Sequence, residues 1–123
     1  MGNLRTLAEE RVRRVWAGVD ARTLDGEGLT LAIIEIAPHS SIPEHCHPNE
    51  QIGVLAAGRM RFTIGGETRD FEPGGAWTVP ANVPHGAETG PEGAIAIEAF
   101  APRRDDWHTL PLAQPQRPQW PAE

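Results

Sequence analysis

An all-β fold, a barrel or sandwich of short antiparallel strands, is the class this sequence predicts. Glycine and proline are abundant, 13 and 12 among 123 residues, and recur at regular intervals. Between them lie apolar or alternating stretches spaced about 8–12 residues apart, the rhythm of strands joined by turns. No amphipathic helix long enough to cross over between parallel strands intervenes. At this length the chain is one domain, able to bury roughly two thirds of its unfolded surface.

The elements follow in order. Residues 1–10 form an arm or a helical turn, and Val12, Val15 and Trp16 suggest a first short strand. Asp25-Gly26-Glu27-Gly28 is a turn by composition. Residues 29–37 are the best strand, with Leu29, Leu31, Ile33 and Glu35 on one face and Thr30, Ala32, Ile34 and Ile36 on the other. Apolar residues on both faces predict a strand held between the core and a second sheet or subunit. Residues 42–47 form the next strand, residues 51–56 run back, and Ala57-Gly58 turns the chain into residues 59–64. Gly65-Gly66 is a two-residue hairpin loop leading to residues 68–71. Residues 77–80, 86–89 and 95–100 supply the remaining strands. After Asp106 the recurring Pro111, Pro115, Pro118 and Pro121 predict an extended tail, pinned by Trp107 and Trp120. The organisation is thus an N-terminal arm and first strand over residues 1–28, a barrel over 29–106 and a Pro-rich tail over 107–123.

The formal net charge of −6 and the lack of a Lys/Arg stripe exclude nucleic acid as a partner. The one basic cluster, Arg11 to Arg14, is flanked by Glu9 and Glu10 and reads as a solvated strand. A single cysteine excludes an internal disulfide and points to a reducing cytoplasm. No apolar run approaches the roughly 18 residues that span a membrane.

The chemistry concentrates in His45-Cys46-His47-Pro48-Asn49-Glu50-Gln51. Residues i and i+2 of a strand face the same way, so His45 and His47 can aim at one point while Cys46 faces the other. Nitrogen and oxygen donors converging on one point suit a divalent metal. Pro80 and Pro84 bracket a rigid turn that can deliver a third imidazole, that of His85, from another strand.

These residues resemble the two signatures of the cupin family. The first is matched by His45, His47, Gln51 and Gly58, with His39 at the leading glycine position. The second is matched by Gly74, Pro80, Asn82, His85 and Thr89, with Asn82 at a glycine position and Thr89 at an asparagine position. The resemblance covers about residues 29–100. It implies a cupin jelly-roll barrel, commonly a homodimer, with one divalent ion (Mn, Fe, Ni or Zn) held by His45, His47, Gln51 and His85. Glu50, beside Gln51, is the alternative fourth ligand. Most cupins carry glutamate where Gln51 stands. A neutral amide there leaves the ion's charge uncompensated, which favours a strong Lewis acid and an anionic ligand.

A second likeness concerns Glu98, Phe100 and Arg104. They match positions that serve the reaction in cupins of pectin and alginate degradation, which open the ring of 4,5-unsaturated monouronates. There the acid is usually the shorter Asp. The resemblance implies Glu98 as proton donor or acceptor, Phe100 covering a sugar ring, and Arg104 gripping a carboxylate. The substrate or ligand is then a small sugar acid. A metal-dependent dioxygenase and a non-catalytic sensor of small anions are the alternatives. Neither His39 nor His108 has support as a ligand.

Overall fold

The computed structural model describes residues 2–122. Among them are eight strands: β1 (Arg13–Trp16), β2 (Val19–Asp25), β3 (Thr30–Ile36), β4 (Ser41–His45), β5 (Glu50–Ile64), β6 (Glu67–Phe71), β7 (Ala76–Val79) and β8 (His85–Ala101). All pairings are antiparallel. The strand order is β1-β2-β3-β8-β5-β6, with β4 also on β8 and β7 also on β5. Short 3-10 turns occur at Leu7–Glu9 and Asp105–Thr109. The result is the expected all-β jelly-roll barrel. Among the described residues no helix is long and apolar enough to cross a membrane.

Two long strands build the barrel. One half of β8, residues 94–100, pairs with β3 on one side and β5 on the other. Its other half, from His85 to Thr89, pairs with β4 and again with β5. The sequence predicted two strands in each of these regions, broken at Ala57-Gly58 and around residues 90–94. The chain instead stays in the sheet and bends. β5 shifts register between Leu55 and Ala57 and again between Gly58 and Met60. Such bulges change which side chains face inward. Gln51 and Leu55 are buried before the bend, and Met60 and Phe62 after it. Gly58 has φ of +78°, and a Cβ there would lie 2.1 Å from the carbonyl oxygen of Gly93. Only glycine satisfies both constraints.

Strand β2 was not anticipated. Val19 and Ala21, each 1% exposed, alternate with Asp20 and Arg22, and β2 pairs with β3 along its whole length. The sheet therefore begins at β1. On the outer face of β3, predicted to meet a second sheet or subunit, the chain's own tail docks at Glu35 and at Arg22 of β2. Arg22 and Glu35 form a buried ion pair at 3.0 Å on this face. Arg22 also donates to the carbonyl of Gln116, and Glu35 accepts the Gln119 backbone N–H at 2.9 Å. Charges taken out of water need such added partners. Trp107 is buried against Phe100, as a pin would be, while Trp120 remains 36% exposed.

The inner face forms the core. A side chain such as Leu55, 2% exposed, contributes roughly 1.5–3 kcal/mol by burial. Phe62, Trp77 and Phe71 stack along one wall, with ring centroids 5.0 and 5.5 Å apart.

Candidate metal centre and its cavity

The three histidines come from two places. His45 ends β4, and His85 begins β8 directly opposite it. His47 lies just past β4, in the bend before β5. Their ligand atoms all lie within 4.8 Å of one another. Each Nδ1 contacts a backbone carbonyl: His45 that of Pro43 at 2.7 Å, His47 that of Asn49 at 2.9 Å, His85 that of Val83 at 2.9 Å. A carbonyl only accepts, so each Nδ1 carries the proton. A neutral imidazole then has a bare Nε2. This is the outer hydrogen bond that fixes a metal-binding histidine.

Two further contacts test the fit. Nε2 of His85 is buried and has no hydrogen-bond partner. Nε2 of His47 faces Oε1 of Gln51 at 3.1 Å. With His47 protonated on Nδ1, both of these atoms are acceptors, and a cation between them satisfies both. Burial holds the His47 pKa below its ordinary value and lowers that of His85 to about 4. Both rings are therefore neutral near pH 7, as ligation requires. The donor set fits a divalent ion. Gln51 is 5% exposed and lines the cavity, whereas Glu50 is exposed. Cys46 is exposed. His39 is exposed, and His108 contacts Asp25 at 2.7 Å.

The signature positions that depart from glycine keep glycine's backbone. His39 has φ of +54° and Asn82 of +62°. Asn82 also donates its backbone N–H to the His47 carbonyl at 2.8 Å, tying the two signature loops together.

A cavity of about 350 Å³ opens beside the histidines, within the size range of small-molecule sites, about 300–1,000 Å³. Glu98, Phe100 and Arg104 all line it. Glu98 is 6% exposed, and burial raises its pKa to about 7. Its carboxyl accepts the Trp77 indole N–H at 3.0 Å, and the nearby Gln51 side chain partly offsets the rise. Phe100 packs 5.8 Å from the His47 ring. The Arg104 guanidinium lies over Phe100 at 4.9 Å and over Trp107 at 4.5 Å. Its Nε and one terminal nitrogen are gripped by Asp106 at 3.1 and 3.0 Å. The loop that carries Arg104 is itself held. Thr30 Oγ1 accepts the Arg104 backbone N–H at 3.0 Å, and Asn49 donates to the Pro102 carbonyl at 2.5 Å.

Four contributors escaped the sequence reading. Trp16 packs 5.3 Å from the His45 ring. Asp106 and Trp107 frame Arg104, and Trp77 holds Glu98. Only Asp106 left a local trace, two residues from Arg104. The remaining cavity wall is apolar, with Val15, Ile34, Ile36, Met60 and Phe62.

An antiparallel barrel with a histidine cluster on its inner wall defines a protein with a group that could hold a metal ion beside a cavity of small-molecule size. A cupin domain model matches residues 32–99, more than half the chain, and the chain belongs to the cupin family. Among curated relatives, it is 30% identical over 82 residues to the pectin degradation protein KdgF of Dickeya dadantii, covering 66% of this chain and 74% of the relative. It is 35% identical over 79 residues to an H2HPP isomerase of Bacillus subtilis, covering 62% of this chain but only 33% of that protein. Among solved structures, KdgF from a Halomonas species superposes with TM-score 0.77 at 26% identity, covering 86% of this chain and 98% of that one. An RmlC-like cupin from Shewanella frigidimarina superposes with TM-score 0.79 at 22% identity, covering 86% and 96%, a likeness of fold.

Proposed function

We propose that this cupin is a metal-dependent isomerase that opens 4,5-unsaturated monouronates to their linear keto form. The observation that carries the reading is Glu98, a buried acid that lines the cavity beside Gln51, the amide whose oxygen faces His47. Similarity to the pectin degradation protein KdgF supports the substrate class.

In this reaction the C1 hydroxyl loses its proton and the bond from C1 to the ring oxygen breaks. C1 becomes an aldehyde, and the enol left at C5 becomes a ketone as C4 gains a proton. One proton moves from oxygen to carbon, and no co-reactant is needed. Glu98, with a pKa of about 7, can both give and take a proton near neutral pH. His45, His47, His85 and Gln51 would hold the ion, which supplies Lewis acidity toward the substrate oxygens. Arg104 receives the carboxylate. Its present partner Asp106 has a side chain 64% exposed, so the carboxylate can replace it on the same guanidinium edge. Phe100 and Trp107 hold that planar guanidinium in place, and Phe100 closes the floor under the sugar.

The test is loss of the substrate's ultraviolet enol absorbance. Metal-loaded protein is expected to accelerate it well above the buffer rate, and metal-stripped protein is not. A rate equal to buffer with metal present would sink the reading. The apolar wall favours one second reading, a dioxygenase with a less polar substrate, and oxygen uptake by the iron-loaded protein would distinguish it.

A further inference from the structure

Three residues on three neighbouring strands form one row. Trp77 on β7 pairs with Gly53 on β5, and Gly53 pairs with Glu98 on β8. Gly53 leaves the middle of the row empty. A Cβ built there would lie 2.7 Å from the Trp77 Nε1 and 2.8 Å from the Glu98 Cγ. The indole therefore reaches across the glycine and donates to Oε1 of Glu98 at 3.0 Å. Trp77 is 5% exposed and wedged between Phe62 and Phe71. It is not among the cavity-lining residues. Gln51, two residues before Gly53 on the same strand face, is the diagonal neighbour of Glu98, and both side chains line the cavity. An amide bound to a carboxylate presents its NH2 group to it, which turns the amide oxygen the other way. Here that oxygen faces His47 at 3.1 Å.

We propose that Trp77 is a positioning residue for the metal centre: it fixes Glu98 across the gap at Gly53, and Glu98 fixes the Gln51 amide with its oxygen toward the three histidines. A glutamine ligand needs this, because an amide offers one ligating end and can rotate the wrong end inward. Glu98 thus has a role in holding the metal that is separate from proton transfer. The inference rests on the metal site and not on the reaction proposed above.

The test is cobalt(II) binding, read as the dissociation constant by competition with a chromophoric chelator and as the visible ligand-field spectrum. Outer partners of metal ligands are typically worth about 10–100-fold in affinity. Trp77→Phe is expected to weaken binding about tenfold and to change the spectrum. The same substitution made in a Gln51→Ala background is expected to have no further effect. Unchanged affinity in Trp77→Phe, or an equal loss with and without Gln51, would overturn the inference. Should Trp77→Phe not fold, Glu98→Leu is compared with Glu98→Gln, which loses the charge but keeps a hydrogen-bond acceptor. Glu98→Leu is expected to bind more weakly by about tenfold, and equal affinities would overturn the proposal. Wild-type protein that takes up no cobalt would overturn the metal site and this inference together. Wild-type uptake that the variants leave unaltered would overturn the inference alone.

Discussion

Glu98→Gln is expected to lower the ring-opening turnover by about 10²–10⁴-fold, the usual worth of a positioned acid or base. The same variant is expected to stabilise the metal-free protein at alkaline pH. The folded-state pKa of Glu98, about 7, lies above its ordinary value of 4.5 because burial penalises the charge. The folded state therefore binds this proton more tightly than the unfolded state. Below pH 4.5 both states are protonated and the group costs nothing. Between 4.5 and 7 stability falls as pH rises, and above 7 the whole cost is present. A glutamine removes that cost while keeping an acceptor for Trp77 and Gln51. The expected gain at pH 8 is on the order of 3 kcal/mol, and none is expected at pH 4. Paired thermal melts of stripped protein at the two pH values measure it, and equal melting at pH 8 would remove the argument from burial.

His85→Ala carries the other large effect. Its Nε2 is the buried, unpartnered atom of the cluster, and its ring packs 4.3 Å from His45 and 4.9 Å from His47. Losing a direct ligand should cost more than losing an outer partner, so affinity for a divalent ion is expected to fall by more than about 100-fold. Enol loss should then return to the buffer rate at micromolar metal. The metal-free fold should persist, because among the described residues removing this ring breaks one hydrogen bond, to the carbonyl of Val83. Chelator competition and circular dichroism on the same sample separate the two effects. Retained tight binding would place the ion elsewhere.

The strands and the histidine cluster were legible in the sequence for different reasons. A run apolar on both faces gave β3, alternation gave the second half of β5, and Gly65-Gly66 gave the hairpin, with both residues at positive φ. His45 and His47 do converge, but not as two residues of one strand. β4 ends at His45, and His47 is aimed from the bend by the Asn49 carbonyl. The continuity of β5 and β8 was not legible. A glycine at a bulge and a glycine at a turn look alike in sequence, and only the pairing partner distinguishes them. The Trp77–Gly53–Glu98 row depends on the register of three strands, which no local pattern encodes. The tail's place over Arg22 and Glu35 was hidden likewise, since its contacts run through backbone groups. Glu35 looked like a polar interruption in an apolar strand, and it is the anchor for that tail.

Proton delivery by a fixed acid beside the metal is tested most directly by running the reaction in deuterium oxide. Metal-loaded protein would be given 4,5-unsaturated galacturonate and the product followed by proton NMR. Delivery from Glu98 on one side of the sugar should place deuterium in only one of the two C4 positions of the keto product. Deuterium spread equally over both positions, as in buffer alone, would contradict a role for Glu98 as the donor.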